Sequence, residues 1–145
     1  MLIRRPAPEV YNAFVDPSIT TNFWFTKSSG KLEEGKQVTW EWEMYNVSDL
    51  VTTKKLIPGK LITIEWSDPP TTVDFEFKAL TDDTTYVVIK NYGFHQTGDE
   101  LITLIKDLTG GFTTVLDGAK AWLEFNIRLN LIGDKFPKEV SDHGA

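Results

Sequence analysis

The chain has no cysteine among its 145 residues, which removes disulfides, thiolate nucleophiles and zinc-cysteine sites together. A reducing cytoplasm is the expected location. Histidine is nearly as scarce, with two residues, His95 and the near-terminal His143. One usable imidazole and carboxylates without calcium-loop spacing make no recognised metal set, so neither a metal nor a cofactor is expected. No run approaches the roughly 18 apolar residues of a membrane span, and the start, Met1-Leu2-Ile3-Arg4-Arg5-Pro6, lacks the apolar core of an export signal. Positive charge is also in deficit: 15 Lys+Arg against 21 Asp+Glu leave a formal net charge of -6. Attraction to nucleic acid phosphates or to an anionic membrane is therefore not expected.

Apolar and aromatic residues are well supplied, at 41% and 12%, with five tryptophans. Large rings with few rotatable bonds can line a cavity as well as fill a core. The length suits one domain over residues 1–145, and no repeat, low-complexity tract or linker divides it. Ala7 to Val15 reads as a short helix, with Pro8 and Glu9 in its first turn and Val10, Ala13 and Phe14 at helical spacing. Asp16-Pro17-Ser18 restarts a second, leading into Phe23-Trp24-Phe25. From Gly35 the period changes to two, Val38, Trp40, Trp42 and Met44 alternating with Thr39, Glu41 and Glu43. Four more strands are predicted: Val47 to Ile57, Leu61 to Trp66, Val73 to Ala79 and Thr84 to Phe94. Their short turns predict an antiparallel meander. Gly98 to Gly111 reads as a hinge, either a helical turn or an extended lid. After it, Phe112, Val115, Leu116, Ala119, Trp122, Leu123, Asn126 and Leu129 predict a long helix running to about Leu131.

Little in this pattern points to catalysis. His95, at the mouth of the predicted groove, is a weak candidate for a proton shuttle. Glu41 and Glu43, like Asp74 and Glu76, alternate with inward residues and should face water, which argues against a carboxylate pair. The inward faces hold Val38, Trp40 and Trp42, then Trp66, Phe75 and Phe77, with Ile89 and Asn91 on the last strand. Phe112, Leu116, Ala119 and Leu123 face them from the helix. Tyr86, Val88 and Tyr92 give the last strand a second apolar face, a candidate homodimer surface.

The order helix-helix, strand meander, long helix resembles the helix-grip superfamily of START and birch-pollen-allergen-like domains. Within it, the chain looks like the branch named for the activator of the 90-kDa heat-shock protein ATPase. The residues that carry the likeness are Ile3 to Phe14, Asp16-Pro17 leading to Phe23-Trp24, Gly35, Pro58-Gly59-Lys60-Leu61-Ile62 running to Trp66, and Gly111-Phe112 with Leu116. The family often has a His or an acidic residue two positions before a glycine on the last strand; here Asn91 precedes Gly93. The resemblance implies an α+β fold, a curved antiparallel sheet wrapped round a C-terminal helix, with a cavity between them. A small hydrophobic or amphipathic molecule is the expected partner. The lining expected for it is Trp24, Val38, Trp40, Trp42, Trp66, Phe75, Phe77, Ile89, Asn91, Phe112, Leu116, Ala119 and Leu123. Tyr45, Tyr92, Asn126 and Asn91 are its expected polar handles, and Trp24 with the Gly98 to Gly111 segment is expected to guard the entrance. A chaperone-binding module and a cyclase-like or dehydratase-like enzyme using His95 are the alternatives the family allows.

Overall fold

Alternating strands and punctuating turns build one seven-stranded antiparallel sheet in the computed structural model, which describes residues 1–140. His143 lies outside the described residues. The strands are β1 (Leu2–Ile3), β2 (Lys27–Ser28), β3 (Gln37–Trp42), β4 (Val47–Ile57), β5 (Leu61–Trp66), β6 (Thr71–Thr81) and β7 (Thr84–Tyr92), in the order β1-β7-β6-β5-β4-β3-β2. The expected meander is the centre of this sheet, and its short outer strands come from the two segments that flank the first helices. Pro58 and Gly59 close the β4–β5 hairpin; Gly59 takes a φ of 73° and Lys60 N–H donates to Ile57 O at 2.9 Å. Proline followed by a residue at positive φ is the pattern of a type II turn.

The two short helices, α1 (Ala7–Val15) and α2 (Pro17–Thr20), fall where the proline spacing places them. Asp16 caps the second, its carboxylate accepting from Ser18 N–H at 3.0 Å. The predicted strand over Val38 to Met44 stops at Trp42, because Glu43–Tyr45 forms a 3-10 turn and Asn46 turns back at a φ of 52°. Met44 consequently leaves the inward face and is exposed. β7 likewise ends at Tyr92, before Gly93 at positive φ.

The largest correction concerns the C-terminal third. Gly98 to Gly111 is neither hinge nor lid but the first half of one continuous helix, α3 (Gly98–Phe125). At 1.5 Å per residue its 28 residues span roughly 42 Å. Two adjacent glycines weaken a helix, yet α3 runs unbroken through Gly110 and Gly111, with the Thr113 and Thr114 hydroxyls donating to Thr109 O and Gly110 O at 2.8 and 2.9 Å. The helix also stops earlier than Leu131. Asn126 adopts a φ of 59°, a conformation that asparagine tolerates after a last helical turn, and its N–H closes on Trp122 O at 2.9 Å. A short helix, α4 (Leu131–Lys135), follows.

The core lies between the concave face and the C-terminal half of α3. Trp40 stacks on Phe25 with ring centroids 4.4 Å apart, and Trp24 sits 5.0 Å from Trp40 and 5.9 Å from Phe75. α3 approaches this cluster with Val115, Gly118 and Ala119 buried. A Cβ on Gly118 would stand 3.2 Å from Phe23 Cβ, so glycine sets how closely helix and turn meet. One turn on, Lys120 Nζ donates to Leu2 O at 2.8 Å and pairs with Glu124, which also accepts Arg4 N–H at 2.9 Å. Burial pushes the Glu124 carboxyl up, but these hydrogen bonds and charges outweigh it and hold the group below the ordinary glutamate range.

Candidate functional site: a cleft between the last strand and the long helix

β7 turns Thr85, Val87, Ile89 and Asn91 to the concave side. Thr85 and Val87 are buried, whereas Ile89 and Asn91, nearer its end, are only half-buried. The change follows from what lies opposite. Val115, Gly118 and Ala119 press onto the closed part of the sheet, while the N-terminal half of α3 leaves a cleft of about 200 Å³. Its walls are Ile89, Asn91 and Phe94 on one side and Ile105, Leu108, Thr109, Phe112, Thr113 and Leu116 on the other. Leu108, Phe112 and Leu116 succeed one another every four residues, so they form a single stripe on α3. The cleft is partly open to solvent, and Trp66 backs it, its ring 5.7 Å from that of Phe112.

None of the lining side chains is titratable, and only Asn91, Thr109 and Thr113 are polar. The Thr113 hydroxyl is committed to Thr109 O. The Asn91 amide is held at its nitrogen end, Nδ2 donating to Thr72 O at 2.8 Å and to Thr71 Oγ1 at 3.0 Å. Because Thr72 O can only accept, these bonds fix which end of the amide is oxygen. That oxygen, Oδ1, is buried and receives no hydrogen bond from any described residue.

Of the residues expected to line a cavity, Ile89, Asn91, Phe112 and Leu116 meet at this cleft. Trp24, Val38, Trp40, Phe75, Phe77 and Ala119 are instead buried in the packed aromatic core, and Trp42, Trp66 and Leu123 pack against it. Trp24 touches six other aromatic rings besides Phe25 and so cannot guard an entrance. Among the expected handles, Tyr92 points to the outer face, where its hydroxyl donates to Asp74 Oδ2 at 3.1 Å. Tyr45 donates to Ile132 O, and Asn126 is the exposed cap of α3. The second face of β7 is broken by Lys90, which pairs with Glu76 at 2.9 Å, between exposed Tyr86 and Tyr92. His95 is exposed on the connection to α3, and among the described residues it pairs with no acidic group.

Sequence reasoning missed Phe94, Ile105, Leu108, Thr109 and Thr113. The signal for two of them, Ile105 and Leu108, was present: Leu101, Ile105, Leu108 and Phe112 are spaced by three and four residues, the period of one helix face. A second hollow, about 30 Å³ between the Thr21 to Thr26 turn and Arg128 to Ile132, has room for little more than water.

The model of the family described as Activator of Hsp90 ATPase homolog 1-like protein matches residues 4–124. Among solved structures, the protein SSP2350 from Staphylococcus saprophyticus superposes with a TM-score of 0.78 at 24% identity, over 89% of this chain and 91% of that one. The Aha1 dimer from Colwellia psychrerythraea gives 0.70 at 18% identity, over 86% and 92%. MLL2253 from Mesorhizobium loti gives 0.71 at 15%, over 86% and 96%. These likenesses establish the helix-grip fold. No protein of curated function matches the sequence significantly.

Proposed function

The chain belongs to the Activator of Hsp90 ATPase homolog 1-like family, and from that premise we propose that it is a binding module for a small hydrophobic or amphipathic molecule seated in the cleft between β7 and α3. The observation that carries the proposal is the cleft itself, whose walls are Ile89, Phe94, Ile105, Leu108, Phe112 and Leu116 with three uncharged polar side chains. Binding sites for small molecules are typically concave, mainly apolar and furnished with a few polar groups that orient the ligand. With no acid, base or nucleophilic thiol on its walls, the cleft is built to hold a molecule rather than to transform it. Among the described residues no helix is long and apolar enough to cross a membrane. The absence of cysteine suits the reducing cytoplasm, where we place the protein.

Leu116→Trp tests the assignment, because the larger ring would occupy the space a ligand needs. Titration of the native protein with uncharged aromatic and short aliphatic compounds, followed by calorimetry, should give saturable one-to-one binding. The variant should lose it at a smaller cost in stability than an enlargement in the sealed core, because the added ring extends into the cleft. Equal affinity in both proteins would move the site elsewhere.

A further inference from the structure

One wall of the cleft differs in kind from the rest. Of the side chains that line it, Phe94 alone sits on neither a strand nor a helix but on the connection from β7 to α3. That connection is loosely held. The backbone of Gly93 to Gln96 exchanges no hydrogen bond with another backbone group among the described residues, and Thr97 precedes α3 without a side-chain cap, its carbonyl meeting Leu101 N–H only at 3.4 Å. A glycine stands at each end, Gly93 at a φ of 86° and Gly98 at 61°. Glycine passes between positive and negative φ at little cost, so both serve as pivots. Neither is crowded: a Cβ on Gly93 would meet only Thr72 N, at 3.9 Å, and one on Gly98 nothing within 4 Å. The walls on either side are fixed, because Tyr92 still pairs with Thr72 in the β6–β7 ladder and α3 is anchored in the core by Val115, Gly118 and Ala119. Segments with few buried contacts and no backbone hydrogen bonds are the ones that open locally.

Resting on the reading of the cleft as a ligand site, we propose that Gly93 to Gly98 is a hinged gate and that Phe94 swings across the mouth to close over the bound molecule. Small-molecule sites bury roughly 70–90% of their ligand's surface. Here the cleft is partly open to solvent and Phe94 is half-buried. A molecule seated against Leu108, Phe112 and Leu116 would keep one face in water, and the Phe94 ring is the wall that moves to cover it without displacing β7 or α3. Closure takes apolar surface of both ring and ligand out of water, so a filled cleft favours the closed form more than an empty one does. The gate then sets how fast a molecule enters and leaves.

Stopped-flow tryptophan fluorescence with 2-naphthol as the probe reads this directly, because Trp66 backs the cleft. In Phe94→Ala the association rate constant should rise about fivefold and the dissociation rate constant more than about tenfold, since a missing gate speeds passage both ways. Loss of an ordinary contact would raise dissociation alone. Phe94→Leu keeps an apolar side chain on the wall, protects the fold and should fall between. Saturable binding with the same association rate in the native protein and both variants would overturn the gate while leaving the cleft as a ligand site. Absence of saturable 2-naphthol binding to the native protein, measured by calorimetry, would sink both. A fluorophore attached through His95→Cys, in a chain that otherwise has no cysteine, gives a second readout with Phe94 in place. Its emission should change with the calorimetric midpoint, and an unchanged signal at saturation would refute movement of the segment.

Discussion

The two ends of the grip are made from the same sheet and the same helix, yet one is closed and the other open. At the closed end Trp40, Phe75, Val115 and Ala119 are each no more than 2% exposed. At the open end Ile89, Phe112 and Leu116 are half-buried, and on the helix above them Ile102 is 66% exposed. The difference traces to residue size along α3. Gly118 and Ala119 let the helix backbone sink toward Phe23 and the tryptophans, whereas the preceding turns carry Leu108, Phe112 and Leu116, whose bulk holds helix and β7 apart. Small residues buy contact, and large ones hold open a space that two walls line but do not fill.

The sharpest way to break the comparison is to truncate a ring at each end. Trp40→Ala removes a fully buried indole stacked on Phe25 and should cost about 3–5 kcal/mol in chemical denaturation, as large core truncations do. Phe112→Ala, on a wall already open to solvent, should cost clearly less and chiefly weaken ligand binding. Similar losses from both would mean that the open end is packed as tightly as the closed one.

A smaller effect probes the polar clasp that ties β1 to α3 at the closed end. The folded pKa of Glu124 lies below its unfolded value, so its stabilisation is complete above roughly pH 4.3 and is lost as pH falls through the folded value. Glu124→Gln should therefore lower stability by on the order of 1 kcal/mol at pH 7, the scale of hydrogen bonds to a charged group, and by much less near pH 3. A gap between variant and parent that persists unchanged at pH 3 would show that the ionised carboxylate is not what holds Lys120 and Arg4.

Much of the fold was legible because period and punctuation are local signals. The alternation of Val38, Trp40 and Trp42 named the inward face of β3, and Pro58-Gly59 marked where β4 ends. The helix-grip arrangement was implied by the family resemblance that the order of elements and particular residues carry. Gly110 and Gly111 hid the first half of α3: propensity argued for a break, whereas in the folded chain the helix runs on through both glycines, as tertiary packing of an apolar face can override propensity. The site was half legible for a related reason. Alternation tells which face a residue is on but not how near the opposite wall stands, so Trp40 and Ile89 looked equivalent although one is sealed by Phe25 and the other borders the cleft. Asn91 could be singled out by its place before Gly93, but the orphaned state of its oxygen depends on Thr71 and Thr72 across the strand pair.

The central claim, that one helix packs a solid core along its C-terminal half and borders a ligand cleft in the turns before it, is tested most directly by enlarging a side chain at each place and melting the two proteins side by side. Ala119→Phe adds a ring where no space exists and should lose about 1–3 kcal/mol, the usual cost of overpacking. Leu116→Trp should melt close to the native protein. An unaffected Ala119→Phe together with a destabilised Leu116→Trp would put the cavity at the aromatic cluster and contradict the account.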